Sequence, residues 1–239
     1  MIPSPQVVEM VGELGFDWVL IDCEHGGISL ESVELMAMAA ERAGLSAAGR
    51  PPCADPSAIL ALLDRGLHGI QVPHVGTARE AAAVVAAARF PPAGRRSLAV
   101  GTCAGGYGLR PRTTDRAAAQ AREVVIAVQV EDAAAVEQAP DIARVAGVDV
   151  VFVGPSDLSA SMGHPGDTAH PDVLAALDRF CRQVQEAGAQ AGTAGGLAAL
   201  RHAEGLGVGY FYTHLPTLLQ LGTQALDPAA FRAPAAPWH

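Results

Sequence analysis

Short, unbroken apolar runs alternate along almost the whole chain with longer stretches of helical period. Seven of the runs read as strands, centred near Val19, Ala48, Gln71, Ala127, Phe152, Gly192 and Phe211. VVIAVQV and VDVVFVGP show no polar alternation, as strands covered on both faces require. Between them DAAAVEQAPDIARVA carries a helical apolar pattern interrupted by Pro140, so the unit is strand, crossover, strand, with the strands parallel. Ser29, Asp55 and Thr77 sit where N-caps belong, Pro56 falls in a first turn, and Gly15 and Gly44 close helices. Further helices are predicted over DRAAAQARE, residues 171–187, LAALRHAEGLG and PTLLQLGTQAL. PPAGRRSLAVGTCAGGYGLRPR and SMGHPGDTAH are predicted as loops, the first long enough to be functional.

Seven βα units without antiparallel signals predict an α/β fold, either a (β/α)8 TIM barrel or a doubly wound sheet. The sequence opens on a helix, VVEMVGEL, so a barrel would lack its usual first strand. Residues 1–228 form a single expected barrel domain, and the Pro/Ala-rich residues 229–239 are expected to extend from it as a tail.

Half of the 239 residues are hydrophobic and 17% are charged, which suits one globular domain with an ample core. A net charge of −9 argues against nucleic-acid or anionic-membrane partners. Cys23, Cys53, Cys103 and Cys181 lack metal-type spacing and suggest no disulfide framework, which fits a reducing cytoplasm. No apolar run approaches the ~20 residues of a membrane span, and the first residues lack the form of a signal peptide.

The polar residues that matter fall just after the strands. Glu131 ends one buried run and Asp157 follows the next, which puts two carboxylates at the carboxyl ends of neighbouring strands. Two close anions call for a cation between them, and oxygen donors suit a hard divalent ion, Mg2+ or Mn2+ first, with Co2+ or Zn2+ as alternatives. Against this, Asp132 and Asp157 could each cap a helix, and Glu131 could favour a helix N-terminus. Other strand ends bring Asp22, Glu24 and His25, then Arg50, Gln129 and Ser156. An ion on Glu131 and Asp157 could chelate a 2-oxo acid, Arg50 could hold that acid and an enolate oxygen, and His25, oriented by Asp22, could move a proton. His74 and His214 read as ordinary polar positions. Gly105–Gly106 and His164–Gly166 give only weak phosphate-cradle signals.

FDWVLIDCEHG, RPPCADP, GIQVPHVGTAREA with RFPPAGRRS, VQVE and GPSDLSASMGHPG together resemble, in order and spacing, the HpcH/HpaI aldolase family. The resemblance covers nearly the whole chain and implies a (β/α)8 barrel and a metal-dependent class II aldolase acting through a pyruvate enolate. It implies Glu131 and Asp157 as metal ligands, Arg50 as the pyruvate contact, His25 with Asp22 as acid/base pair, and Gln129 lining the site. It also implies a homo-oligomer, usually a hexamer built from dimers that exchange the last helix. Cys53 stands where the family usually has tryptophan, and GYFYTHLP replaces a small-residue VGSD-type strand end. That bulkier end keeps open a citrate-synthase-like condensation of acetyl-CoA with oxaloacetate, as in siderophore biosynthesis. The absent first strand keeps open a barrel that binds a 2-oxo acid without turnover.

Overall fold

A computed structural model of the protein describes residues 2–109 and 124–226. Among these residues seven strands form one sheet in simple sequence order, and every neighbouring pair is parallel. They are β1 (Trp18–Asp22), β2 (Ser46–Arg50), β3 (Gly69–Val72), β4 (Val125–Val130), β5 (Val150–Val153), β6 (Gln190–Ala194) and β7 (Tyr210–Tyr212). With all strands parallel, their carboxyl ends share one rim, where a β/α barrel carries its chemistry. β1 and β7 are the two edges of the sheet. Across the seam between them the rings of Trp18 and Tyr210 meet with centroids 4.4 Å apart, and Trp18 lies edge-on to Tyr212 at 5.9 Å. The sheet is therefore a nearly closed barrel of seven strands, as the βα count predicts. A cavity of about 880 Å3 follows the seam from apolar side chains such as Val11, Leu200 and Leu218 inward to Asp22 and Arg50.

Strand residues on one face, including Ile70, Val72, Ile126, Val128 and Val151, are buried in the main apolar cluster with the helices. The other face fills the barrel, where Ala127, Phe152 and Ala194 pack with Tyr210 and Tyr212. On the helix side, Gly49 in β2 allows the following helix to pack closely, since a Cβ would lie 2.5 Å from Leu67 and 3.1 Å from Leu62. A larger residue beside Arg50 would have to push both leucines outward.

The helix starts follow the capping residues, beginning at α1 (Pro5–Glu13), where Ser4 accepts the N–H of Val7. Ser29 accepts the N–H of Ser32 at α2 (Leu30–Arg42), Asp55 those of Ser57 and Ala58 at α3 (Pro56–Asp64), and Thr77 that of Glu80 at α4 (Ala78–Ala88). Pro140 splits the crossover after β4 into α5 (Ala133–Glu137) and α6 (Ala139–Ala143), because in a first turn its missing N–H costs no hydrogen bond. Asp132 caps α5 by accepting the N–H of Ala135 at 2.7 Å. Asp157 is not a cap: Gly154 takes that position, and Asp157 lies in the first turn of α7 (Pro155–Ser161). That short helix occupies residues directly after β5, ahead of the loop that leads into α8 (Pro171–Glu186). The predicted helix at 115–123 and the tail at 229–239 lie outside the described residues. Cys23, Cys53, Cys103 and Cys181 are free thiols. Among the described residues, no helix is long and apolar enough to cross a membrane.

Candidate active site

The rim is organised by one ion pair that the strand register creates. Asp22 ends β1 directly opposite Arg50, which ends β2. The guanidinium grips the carboxylate with both prongs, Nε on Oδ1 at 2.9 Å and Nη2 on Oδ2 at 2.6 Å, and each side chain is 9% exposed. Burial alone would raise the Asp22 carboxyl, but the hydrogen bond and charge of Arg50 outweigh it and hold the group below its ordinary value. Burial would likewise lower the Arg50 guanidinium, and Asp22 reverses that shift. Asp22 Oδ1 also accepts the backbone N–H groups of Glu24 and His25 at 3.0 and 3.3 Å, which fixes the turn after β1.

From this pair the polar contacts run across the rim. Gln129 Oε1 accepts Gln71 Nε2 at 2.5 Å and Arg50 Nη1 at 3.4 Å. With its oxygen committed to those donors, the Gln129 amide turns Nε2 to Glu131 Oε1, at 2.5 Å. Gln71, which the sequence did not single out, is completely buried here and lies 3.5 Å from the Tyr212 hydroxyl.

Glu24, His74 and Glu131 form a tight group, their candidate ligand atoms all within 4.8 Å of one another. The His74 ring lies between the two carboxylates, with Nε2 2.9 Å from Glu24 Oε1 and Nδ1 in contact with Glu131 Oε2. Oε2 of Glu24 and Oε2 of Glu131 are both buried and, among the described residues, accept no hydrogen bond; their near contacts are Arg50 Nε at 3.2 Å for Glu24 and the His74 ring for Glu131. Burial pushes the Glu131 carboxyl up; His74 opposes the shift, while Glu24 and Asp157 add to it by like charge. Carboxylate oxygens gathered this closely fit a divalent cation with hard-donor preference.

The expected residues fall into this arrangement unequally. Asp22, Arg50, Gln129 and Glu131 join one connected network. Asp157 is near enough to raise Glu131 but stands outside the tight triad. Asp22 touches His25 through its backbone N–H, not its ring; the exposed imidazole instead points Nε2 toward Glu24 Oε2, 3.7 Å away. Ser156 is exposed in the first turn of α7. His74 is not the ordinary polar position its isolation in the sequence suggests; Pro73 just before it, at a strand end, was the available signal. His214 packs edge-on against Tyr212 at 5.7 Å. In the loop read as a weak phosphate cradle, His164 stacks on His170, whose Nδ1 accepts the N–H of Asp172 and so caps α8.

Residues 2–199 match the family model described as HpcH/HpaI aldolase/citrate lyase. A pyruvate aldolase of Rhizobium etli is 38% identical over 191 residues, which are 80% of this chain and 74% of the relative. A 4-hydroxy-2-oxovalerate aldolase of Rhodococcus jostii is 43% identical over 182 residues, 75% and 69% of the two chains. The crystal structure of an HpcH/HpaI aldolase/citrate lyase family protein from Burkholderia cenocepacia superposes with a TM-score of 0.88 at 32% identity, covering 96% of this chain and 91% of the other.

Proposed function

The chain belongs to the HpcH/HpaI aldolase/citrate lyase family, and from that premise we propose that its rim is the site of a metal-dependent aldolase acting on 4-hydroxy-2-oxo acids. As a class II aldolase it is a carbon–carbon lyase that cleaves such acids to a pyruvate-type product and an aldehyde, or joins the two. The observation that carries the reading is the close grouping of the largely buried Glu24 and Glu131 carboxylates around His74, with Asp157 near enough to act on Glu131. We assign Glu131 and Asp157 as the residues that hold the divalent ion, with Mg2+ or Mn2+ as candidates. Bound there, the ion would supply Lewis-acid polarisation of the 2-oxo acid carbonyl.

The chain's own groups then divide the remaining work. Arg50 is fixed by Asp22, so its planar fork is oriented before substrate arrives, and Nη1 faces Gln129 and the Glu131 side of the rim. That position suits a donor to the oxyanion that develops as the C3–C4 bond breaks. His25 has the solvent access and the neighbouring Glu24 carboxylate that a proton carrier at the C4 hydroxyl needs. Gln129 keeps Glu131 oriented, and Ser156 at the start of α7 is a substrate contact at the open side. Exposed Leu219 and Leu221 on the last described helix, α10 (Leu215–Leu226), which follows α9 (Leu197–Gly205), support a homo-oligomer that covers them.

Pyruvate alone tests this without knowledge of the aldehyde. In D2O, with divalent metal present, NMR should show loss of the pyruvate methyl protons to exchange, and Arg50→Lys should slow it about a hundredfold by removing one oriented donor. Exchange no faster than the protein-free rate would sink the reading.

A further inference from the structure

β3 delivers more than its strand. Pro73 ends it, and the N–H of Val75 donates to the carbonyl of Gln129 at 3.0 Å, tying the turn to β4 two residues before Glu131. Between these fixed points His74 takes the left-handed conformation, φ 57°, which few non-glycine residues adopt without a local reason. The result is a ring held at the mouth of the acidic group, with its two nitrogens facing different carboxylates. A neutral imidazole has one N–H and one lone pair, so the two contacts cannot be alike. If Nε2 carries the proton, it donates to Glu24 Oε1 at 2.9 Å, and the Nδ1 lone pair is left on the Glu131 side. A carboxylate on one ring nitrogen and a metal on the other is the usual way a protein orients a histidine ligand.

Building on the assignment of Glu131 as a ligand, we propose that His74 is a further protein ligand of the same ion through Nδ1. Glu24 is the carboxylate that holds its ring, and the nitrogen donor selects a transition-metal ion over Mg2+. Imidazole suits Co2+ and Zn2+, whereas Mg2+ gains little from it and prefers oxygen alone. Glu24 is thereby a positioning residue: Arg50 Nε lies 3.2 Å from its Oε2, which braces the carboxylate from behind.

Calorimetric titration of the metal-stripped full chain with Co2+ alone and with Mg2+ alone tests this, using the wild type, His74→Gly, Glu24→Gln and Glu131→Gln. Glycine accepts φ 57° without strain, and thermal unfolding checks that each variant is folded. His74→Gly should weaken Co2+ binding at least about tenfold while changing Mg2+ binding less than about threefold, and Glu24→Gln should weaken Co2+ selectively by a smaller factor. The visible spectrum of the Co2+ protein should shift in His74→Gly as a nitrogen donor is lost. Unchanged Co2+ affinity in folded His74→Gly, or equal losses for the two metals, overturns the ligand assignment, and unchanged Co2+ affinity in Glu24→Gln removes its positioning role. If Glu131→Gln binds both metals as the wild type does, the underlying metal site is what fails.

Discussion

Arg50 is the residue on which the charge of the site converges, since it meets Asp22, Glu24 and Gln129 at once. Replacing it by methionine leaves Asp22 buried with only two backbone N–H groups for company. The loss should be about 3 kcal/mol at neutral pH, the lower end for breaking a buried ion pair. It should also change the pH dependence of stability. In the wild type the Asp22 carboxyl lies below its ordinary 3.8, so its contribution is complete above pH 3.8 and disappears as pH falls through the lowered value. In Arg50→Met burial, the largest single influence, takes over and raises the group, so stability should fall as pH rises above 3.8. Urea unfolding between pH 3 and 7 measures both slopes, and identical slopes would refute the assignment of that pH dependence to the ion pair. Asp22, Arg50, Gln129 and Glu131 were legible because each lies at or beside the carboxyl end of a strand, and strand ends can be read from apolar runs. Glu24 and His74 as partners were not, because their meeting depends on a left-handed backbone at His74 that sequence does not announce.

Among the elements, β7 shows how the seam is filled. It is three residues long, and its Tyr210 and Tyr212 rings reach Trp18 on β1 and Phe152 on β5. Tyr212 stacks on Phe152 with centroids 5.2 Å apart and planes 5° from parallel. The bulky strand end that departs from the family pattern is thus a set of rings packed across the opening. Among the described residues the buried Tyr210 hydroxyl has no hydrogen-bond partner, and burial pushes its phenol far above the ordinary value. Tyr210→Phe keeps the ring and removes the unsatisfied group, so it should stabilise the protein by about 1 kcal/mol. A drop in unfolding midpoint by calorimetry would show instead that the hydroxyl has a partner. The caps at Ser29, Asp55 and Thr77 were legible because a cap is a local bond between residues two or three apart. The helix at 155–161 escaped because seven residues give too little periodicity, and only Pro155 and Asp157 mark its first turn. The aromatic contacts across the seam were equally hidden, since they join opposite ends of the chain.

At the scale of the molecule, seven parallel strands in sequence order bring all the candidate groups to one rim. The alternation of apolar runs and helical stretches was enough to predict that class of fold, because each βα unit is read locally and parallel crossovers have one preferred hand. The way the carboxylates share the rim was not, because it follows from which strands become neighbours and from the register that sets Asp22 against Arg50. The most direct test is release of pyruvate from 4-hydroxy-2-oxo acids, followed with lactate dehydrogenase, on protein stripped of metal and then given Mg2+, Mn2+ or Co2+. Release should be absent in the stripped protein, return with divalent metal and be lost again in folded Glu131→Ala. Release that survives stripping, or that Glu131→Ala retains in full, would contradict a metal-dependent aldolase built on this rim.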